Sequence, residues 1–84
     1  MLIIKILGAG CENCKKLEDV ARQAVASFRM PAEVIKVTDL NEIHKYFILA
    51  TPGLVINEKL VCAGRIPAQR EVITWLADAA IEEA

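Results

Sequence analysis

Cys11 and Cys14 are the residues of this chain best suited to chemistry. They are separated by Glu12-Asn13 and follow Gly8-Ala9-Gly10. Two thiols three positions apart can close a small disulfide or hold a soft metal ion. A strand-like run, Met1 to Leu7, precedes them, and a helix-like run, Cys14 to Phe28, follows. A helix start presents unpaired N–H groups and a partial positive charge, which stabilise a thiolate placed there. Free cysteine ionises with a pKa of about 8.5, so such help matters near neutral pH. Lys15 and Lys16 in the first turn add to it, and Glu12 opposes it. The combination is the arrangement of a dithiol redox site.

The elements that must position this pair can be read from hydrophobic period. Residues 2 to 7 (LIIKIL) predict a buried central strand, broken by Gly8, Ala9 and Gly10. Leu17, Val20, Ala21, Ala24, Val25 and Phe28 share one face of a helix, and Met30-Pro31 ends it. Glu33 to Val37 alternates as a second strand. Thr38 or Asp39 caps a short helix over 40–49, with Leu40, Ile43, Phe47 and Ile48 facing inward. After the Thr51-Pro52-Gly53 break, Leu54-Ile56 and Lys59-Ala63 form a hairpin around Asn57-Glu58. Gly64-Arg65-Ile66 connects to a last helix with Pro67 in its first turn. Val72, Ile73, Leu76, Ala79 and Ala80 give that helix its apolar face. The order is β-α-β-α-β-β-α. It predicts an α/β fold, a four-stranded mixed sheet with helices on both faces, as a single domain over 1–84.

Composition narrows the function. The chain has 84 residues, 55% hydrophobic and 25% charged, with a net charge of −1. That balance does not suit nucleic acid as partner. No apolar run approaches the roughly 20 residues of a membrane span. The start MLIIKILGAG lacks a basic leader and carries Lys5 in its apolar stretch, so it reads as a core strand, not a signal peptide. Three cysteines with one Cys-x-x-Cys are not a secreted disulfide framework, and the expected compartment is the reducing cytoplasm.

The element order, the Gly8-Ala9-Gly10-Cys11-Glu12-Asn13-Cys14 loop and Thr51-Pro52-Gly53 ahead of the third strand resemble the thioredoxin fold in its minimal form. The likeness runs from about Leu2 to Ile81. Within that fold the chain resembles the small thioredoxin-like or glutaredoxin-like redox-active disulfide proteins. The resemblance implies a thiol–disulfide oxidoreductase. Cys11 would be the exposed attacking thiol and Cys14 the buried resolving thiol. Pro52 would be a cis proline against the disulfide, with Thr51 and Gly10 meeting the substrate. No cofactor beyond the cysteine pair is implied. The implied partners are a protein disulfide or dithiol and a separate reductase as electron donor, with no membrane or nucleic acid, and the chain acting as a monomer. Gly8, Ala9, Gly10, Thr51 and Ile66 would form the flat surface around the site. Glu-Asn stands where thioredoxins carry Gly-Pro, Gly10 where they carry tryptophan, and Lys5 is the only charge of the first strand.

The competing reading is a soft-metal or metalloid carrier using the same two thiols. Small copper-chaperone domains also place Gly-x-Cys-x-x-Cys after a first strand, but they end in a strand and have no use for Thr51-Pro52. A thioredoxin-fold adaptor with idle thiols is the third. Cys62 reads as a small buried hydrophobe. His44 reads as a surface histidine, Trp75 as packing, and Arg65 as a solvated loop residue. Of the adjacent Tyr46 and Phe47, one is expected in the core and the other at its rim.

Overall fold

An apolar strand that can be covered on both faces organises this chain. The computed structural model describes residues 1–8, 12–29, 31–48 and 50–83. In chain order the elements are β1 (Leu2–Leu7), α1 (Glu12–Phe28), β2 (Ala32–Val37), α2 (Leu40–His44), β3 (Gly53–Ile56), β4 (Lys59–Ala63) and α3 (Gln69–Glu83). The sheet order is β2-β1-β3-β4, so β1 is central. It pairs parallel with β2 and antiparallel with β3, and β3 pairs antiparallel with β4. The expected α/β order and mixed sheet are the ones observed.

Side chains alternate across a strand, so β1 feeds two cores. Leu2, Ile4 and Ile6 face Leu17, Ala21 and Ala24 of α1 and Val72, Leu76 and Ala79 of α3. Leu7 points the other way, to Val55 and to Ile43 of α2. Helices therefore cover both faces. Lys5 lies half-buried on the α2 face, where Nζ donates to Tyr46 Oη at 3.0 Å and pairs with the Glu58 carboxylate. Tyr46 Oη donates to the same carboxylate at 2.8 Å. Glu58 first, and then Tyr46, raise the Lys5 pKa, so a charge is held inside an otherwise apolar strand.

The connections follow local rules. Asn57 and Glu58 both have positive φ, 49° and 68°, the geometry of a tight two-residue hairpin turn. Asn57 is tied to β1 twice, by its N–H to Ile3 O and by its Oδ1 from Ile3 N–H, both at 2.8 Å. Arg29 ends α1 in the left-handed region, φ 61°. Met30 lies outside the described residues. Asp39 caps α2 as expected, its Oδ1 accepting from Asn41 N–H at 2.9 Å.

Two expectations need correction. The helix over 40–49 stops at His44, and neither Leu40 (61% exposed) nor Phe47 (90% exposed) faces inward. Lys45, Tyr46 and Phe47 donate their N–H groups to carbonyls three residues back, at 3.1 to 3.3 Å. Those tighter turns abandon the 3.6-residue period that would have stacked Phe47 on Ile43. Phe47 then takes φ 55° and is turned into water, while Tyr46 packs on the α2-side core. The second correction concerns Pro67, which is fully buried but two residues ahead of α3. Glu71 supplies the helix start instead, its carboxylate accepting from Ala68 N–H at 2.8 Å.

Leu17→Ala should lower the unfolding free energy by about 2–5 kcal/mol, because the surrounding helices cannot close on the cavity. Phe47→Gly should leave stability unchanged or raise it by up to about 1 kcal/mol, since it relieves a positive φ without removing buried area. Urea unfolding with an unchanged m-value checks both.

Candidate functional site

The site is built where β1 ends, α1 begins and β3 is entered. Cys14, in the first turn of α1, is buried and disulfide-bonded. Its Sγ lies directly over Gly8, the residue after β1. A Cβ built on Gly8 would overlap Cys14 Sγ, and it would come within 4.0 Å of Pro52 Cα. Gly8 is fixed from the other side by its N–H to Val37 O at 3.0 Å. Only a residue without a side chain lets strand, sulfur and proline loop converge.

Pro52 is fully buried and the Thr51-Pro52 peptide is cis. Its carbonyl accepts from Gly64 N–H at 2.9 Å. Gly64 takes φ 77°, a conformation open to glycine at little cost, and so ties the end of β4 to the proline loop. Thr51 remains exposed next to Pro52.

A small cavity adjoins Cys14, lined by Ile6, Gly8, Cys14, Lys15, Lys36 and Thr38. Parallel pairing of Leu7 with Val37 brings Lys36 and Thr38 to this position. Lys36 Nζ pairs with Glu18 Oε1 at 3.2 Å, and Arg22 holds the other oxygen of Glu18 at 2.8 Å. Arg22 first, and Lys36 after it, hold the Glu18 carboxyl below its ordinary range against the opposing effect of burial. Cationic groups thus border the cavity on two elements, and an anionic sulfur at Cys14 would be stabilised by them.

Of the residues expected to form the site, Cys14, Thr51 and Pro52 are brought together. Cys11 and Gly10, with Ala9, lie outside the described residues. Gly8 is buried beneath Cys14 and is not part of an exposed surface. Ile66 is half-buried, and Arg65 is engaged by Glu71 at 3.0 Å in an exposed pair. Cys62 is a buried free thiol in the core on the α1 and α3 side, its Sγ 3.8 Å from Arg65 O. His44 is exposed. Lys36, Thr38 and Gly64 were not singled out from sequence as site residues. The signal for the first two was the parallel register, which sets the end of β2 beside the end of β1.

Comparison with known proteins shows what the chain is similar to. Residues 2–77 match the family model described as thioredoxin domain. The chain is 36% identical over 72 residues to a thioredoxin of Methanocaldococcus jannaschii, covering 86% of this chain and 83% of that one. It is likewise 36% identical over 72 residues to a thioredoxin of Methanothermobacter thermautotrophicus, covering 86% and 94%. Among solved structures it resembles the germline-specific thioredoxin Deadhead of Drosophila melanogaster, with a TM-score of 0.66 at 17% identity, over 92% of this chain and 79% of that one. This last likeness concerns the fold.

Gly8→Ala should lower stability by about 1–3 kcal/mol through the overlap with Cys14, measured by denaturant unfolding of the oxidised protein. Glu18 contributes stability above the ordinary carboxyl pKa of about 4.3. That stability is lost as pH falls through its lower folded value. Glu18→Gln should remove this acid-side slope and cost no more than about 1 kcal/mol at pH 7, which unfolding curves between pH 3 and 7 will show.

Proposed function

The chain belongs to the thioredoxin family and is a thiol–disulfide oxidoreductase; from that premise we propose that Cys11 and Cys14 are its reactive dithiol. The carrying observation is the burial of disulfide-bonded Cys14 against Gly8, which also adjoins buried Pro52, with Thr51 exposed next in the chain.

In the reduced protein the Cys11 thiolate attacks one sulfur of a partner's disulfide. A mixed disulfide forms, and the partner's second sulfur leaves as a thiolate and takes up a proton. Cys14, deprotonated, then attacks Cys11 Sγ. The Cys11–Cys14 bond forms, and the partner's first sulfur leaves as thiolate. Two electrons pass from the dithiol to the partner, which is left as a dithiol. Lys15 and Lys36 beside the Cys14 cavity favour the thiolate that this second attack requires. Thr51 supplies the exposed position against which an extended partner segment lies, and Gly10 is the further residue assigned to substrate contact.

The partner is a protein disulfide or dithiol, and a separate reductase restores the dithiol. The chain acts in the cytoplasm as a monomeric single domain. Among the described residues no helix is long and apolar enough to cross a membrane.

The test is to equilibrate the protein in graded thiol–disulfide buffers and map alkylated cysteines by mass spectrometry. A reversible two-electron Cys11–Cys14 couple within roughly −120 to −270 mV is expected. Cys14→Ser should accumulate the mixed disulfide, Cys11→Ser should abolish exchange, and Cys62→Ser should leave it intact. A Cys11→Ser variant that still exchanges at the parent rate would exclude the assignment.

A further inference from the structure

Glu18, on α1, is held by more positive charge than it needs. Arg22 donates Nε at 2.9 Å and Nη2 at 2.8 Å to its Oε2. Lys36 of β2 adds an ammonium 3.2 Å from Oε1. The Glu18 side chain is only 15% exposed, so it requires a counter-ion, and the two nitrogens of Arg22 satisfy that by themselves. The Lys36 side chain is 58% exposed, and an ion pair made from so solvated a group contributes little. Lys36 is therefore the cation that Glu18 can release at low cost.

Lys36 also lines the small cavity at Cys14, together with Gly8, Lys15 and Thr38. Cys14 and Glu18 are four positions apart on α1, neighbours on one face. The two sites open to the ammonium are thus separated by about 5.4 Å, one helical turn, which a flexible lysine stem spans by changing rotamer. Lys15 borders the same cavity, but it follows Cys14 directly, and consecutive helical side chains diverge by about 100°. The other charges nearby have different settings. Glu12 is exposed in the first turn of α1, Lys5 of β1 is bound to Tyr46 on the opposite core, and Asp39 after Thr38 accepts from its helix cap. The Thr51-Pro52-Gly53 loop carries no charge.

In the disulfide the Cys14 sulfur is neutral and exerts no net pull on a cation. When the mixed disulfide on Cys11 is resolved, Cys14 gives its proton to water and becomes a thiolate in a buried position, where an uncompensated charge is costly. We propose that Lys36 is a redox-linked counter-ion: it pairs with Glu18 while Cys14 is in its disulfide, and it moves to the Cys14 sulfur when that sulfur is a thiolate, leaving Glu18 to Arg22. The thiolate attacks Cys11 Sγ, the partner's sulfur leaves with the electron pair of the broken bond, and the loss of charge on Cys14 returns Lys36 to Glu18. Lys36 stays protonated throughout, and no proton passes to or from it. Glu18 and Arg22 are positioning residues, acting on the sulfur only through Lys36. This deepens the dithiol reading above and rests on it.

The test uses the full chain carrying Cys11→Ser and Cys62→Ser, in which Cys14 is the remaining thiol. Its ionisation is followed by ultraviolet thiolate absorbance, and the Glu18 carboxyl carbon by NMR over the same pH range. Lys36→Gln should raise the Cys14 pKa by about one unit. Lys36→Arg should keep it near the parent value, which separates the charge from any effect on folding, and Lys15→Gln should move it less than Lys36→Gln does. The Glu18 signal should step as Cys14 ionises, and the step should be lost in Lys36→Gln. An unchanged Cys14 pKa in Lys36→Gln overturns the proposal, as does a larger shift in Lys15→Gln or a Glu18 step that persists at full size without Lys36. The unsubstituted chain in graded thiol–disulfide buffers keeps the two readings apart. A reversible Cys11–Cys14 couple, with a Cys14 pKa indifferent to Lys36, overturns this inference alone. Absence of the couple overturns the dithiol reading and this one with it.

Discussion

The contact of Cys14 Sγ with Gly8 is the constraint on which the remaining architecture depends. It requires the first turn of α1 to press on the very end of β1, with no side chain between them. That seating brings Leu17, Ala21 and Ala24 down onto Leu2, Ile4 and Ile6. It also brings the β1 terminus against the loop at Pro52, whose carbonyl is anchored by Gly64 from the far end of the hairpin. The β1–α1 junction, the proline loop and the end of the hairpin therefore converge around Gly8. Small residues at positions 8 and 64 let backbones do what bulkier residues would prevent.

Electrostatics at the site come from a relay of surface charges, not from a buried carboxylate. Arg22 and Lys36 both engage Glu18, one turn beyond Cys14, and Lys36 and Lys15 border the cavity at the sulfur. The half-buried charge of β1, Lys5, is directed away to Tyr46 and Glu58 on the opposite core. A lysine in a central strand would be costly if left alone. Here it ties together the strand, the end of α2 and the hairpin turn.

Much of this arrangement is legible in the residues themselves. Five apolar residues out of six, interrupted by Lys5, specify β1, since a strand covered on both faces is what shelters them. The period of Leu17 through Phe28 specifies α1, and the Asn57-Glu58 pair specifies the hairpin. The thiol pair and Thr51-Pro52 mark the candidate site. What escaped sequence reading depends on tertiary geometry. Gly8 looks like a flexible turn residue until the sulfur is set over it. Lys36 looks like a solvated strand residue until parallel register carries it to the cavity. Phe47 fits the α2 period, yet the tight turns from Lys45 onward redirect it. Pro67 fits a helix start, but the Glu71 carboxylate captures Ala68 N–H and fixes the start of α3 after it.

The order β2-β1-β3-β4 leaves the sheet two outer strands. Open strand edges invite pairing with other chains, and that pairing leads to aggregation. Here β4 carries a register shift opposite Leu54 and Val55, with Val61 the extra residue, and exposed Lys59 at its start. A bulge twists an edge out of the plane a neighbour would need, and a lysine charges it. On the other side, β2 presents exposed Glu33 and Lys36. On the proposed reading partner chains meet the exposed Thr51, and these guarded margins keep that encounter from spreading to the rest of the sheet.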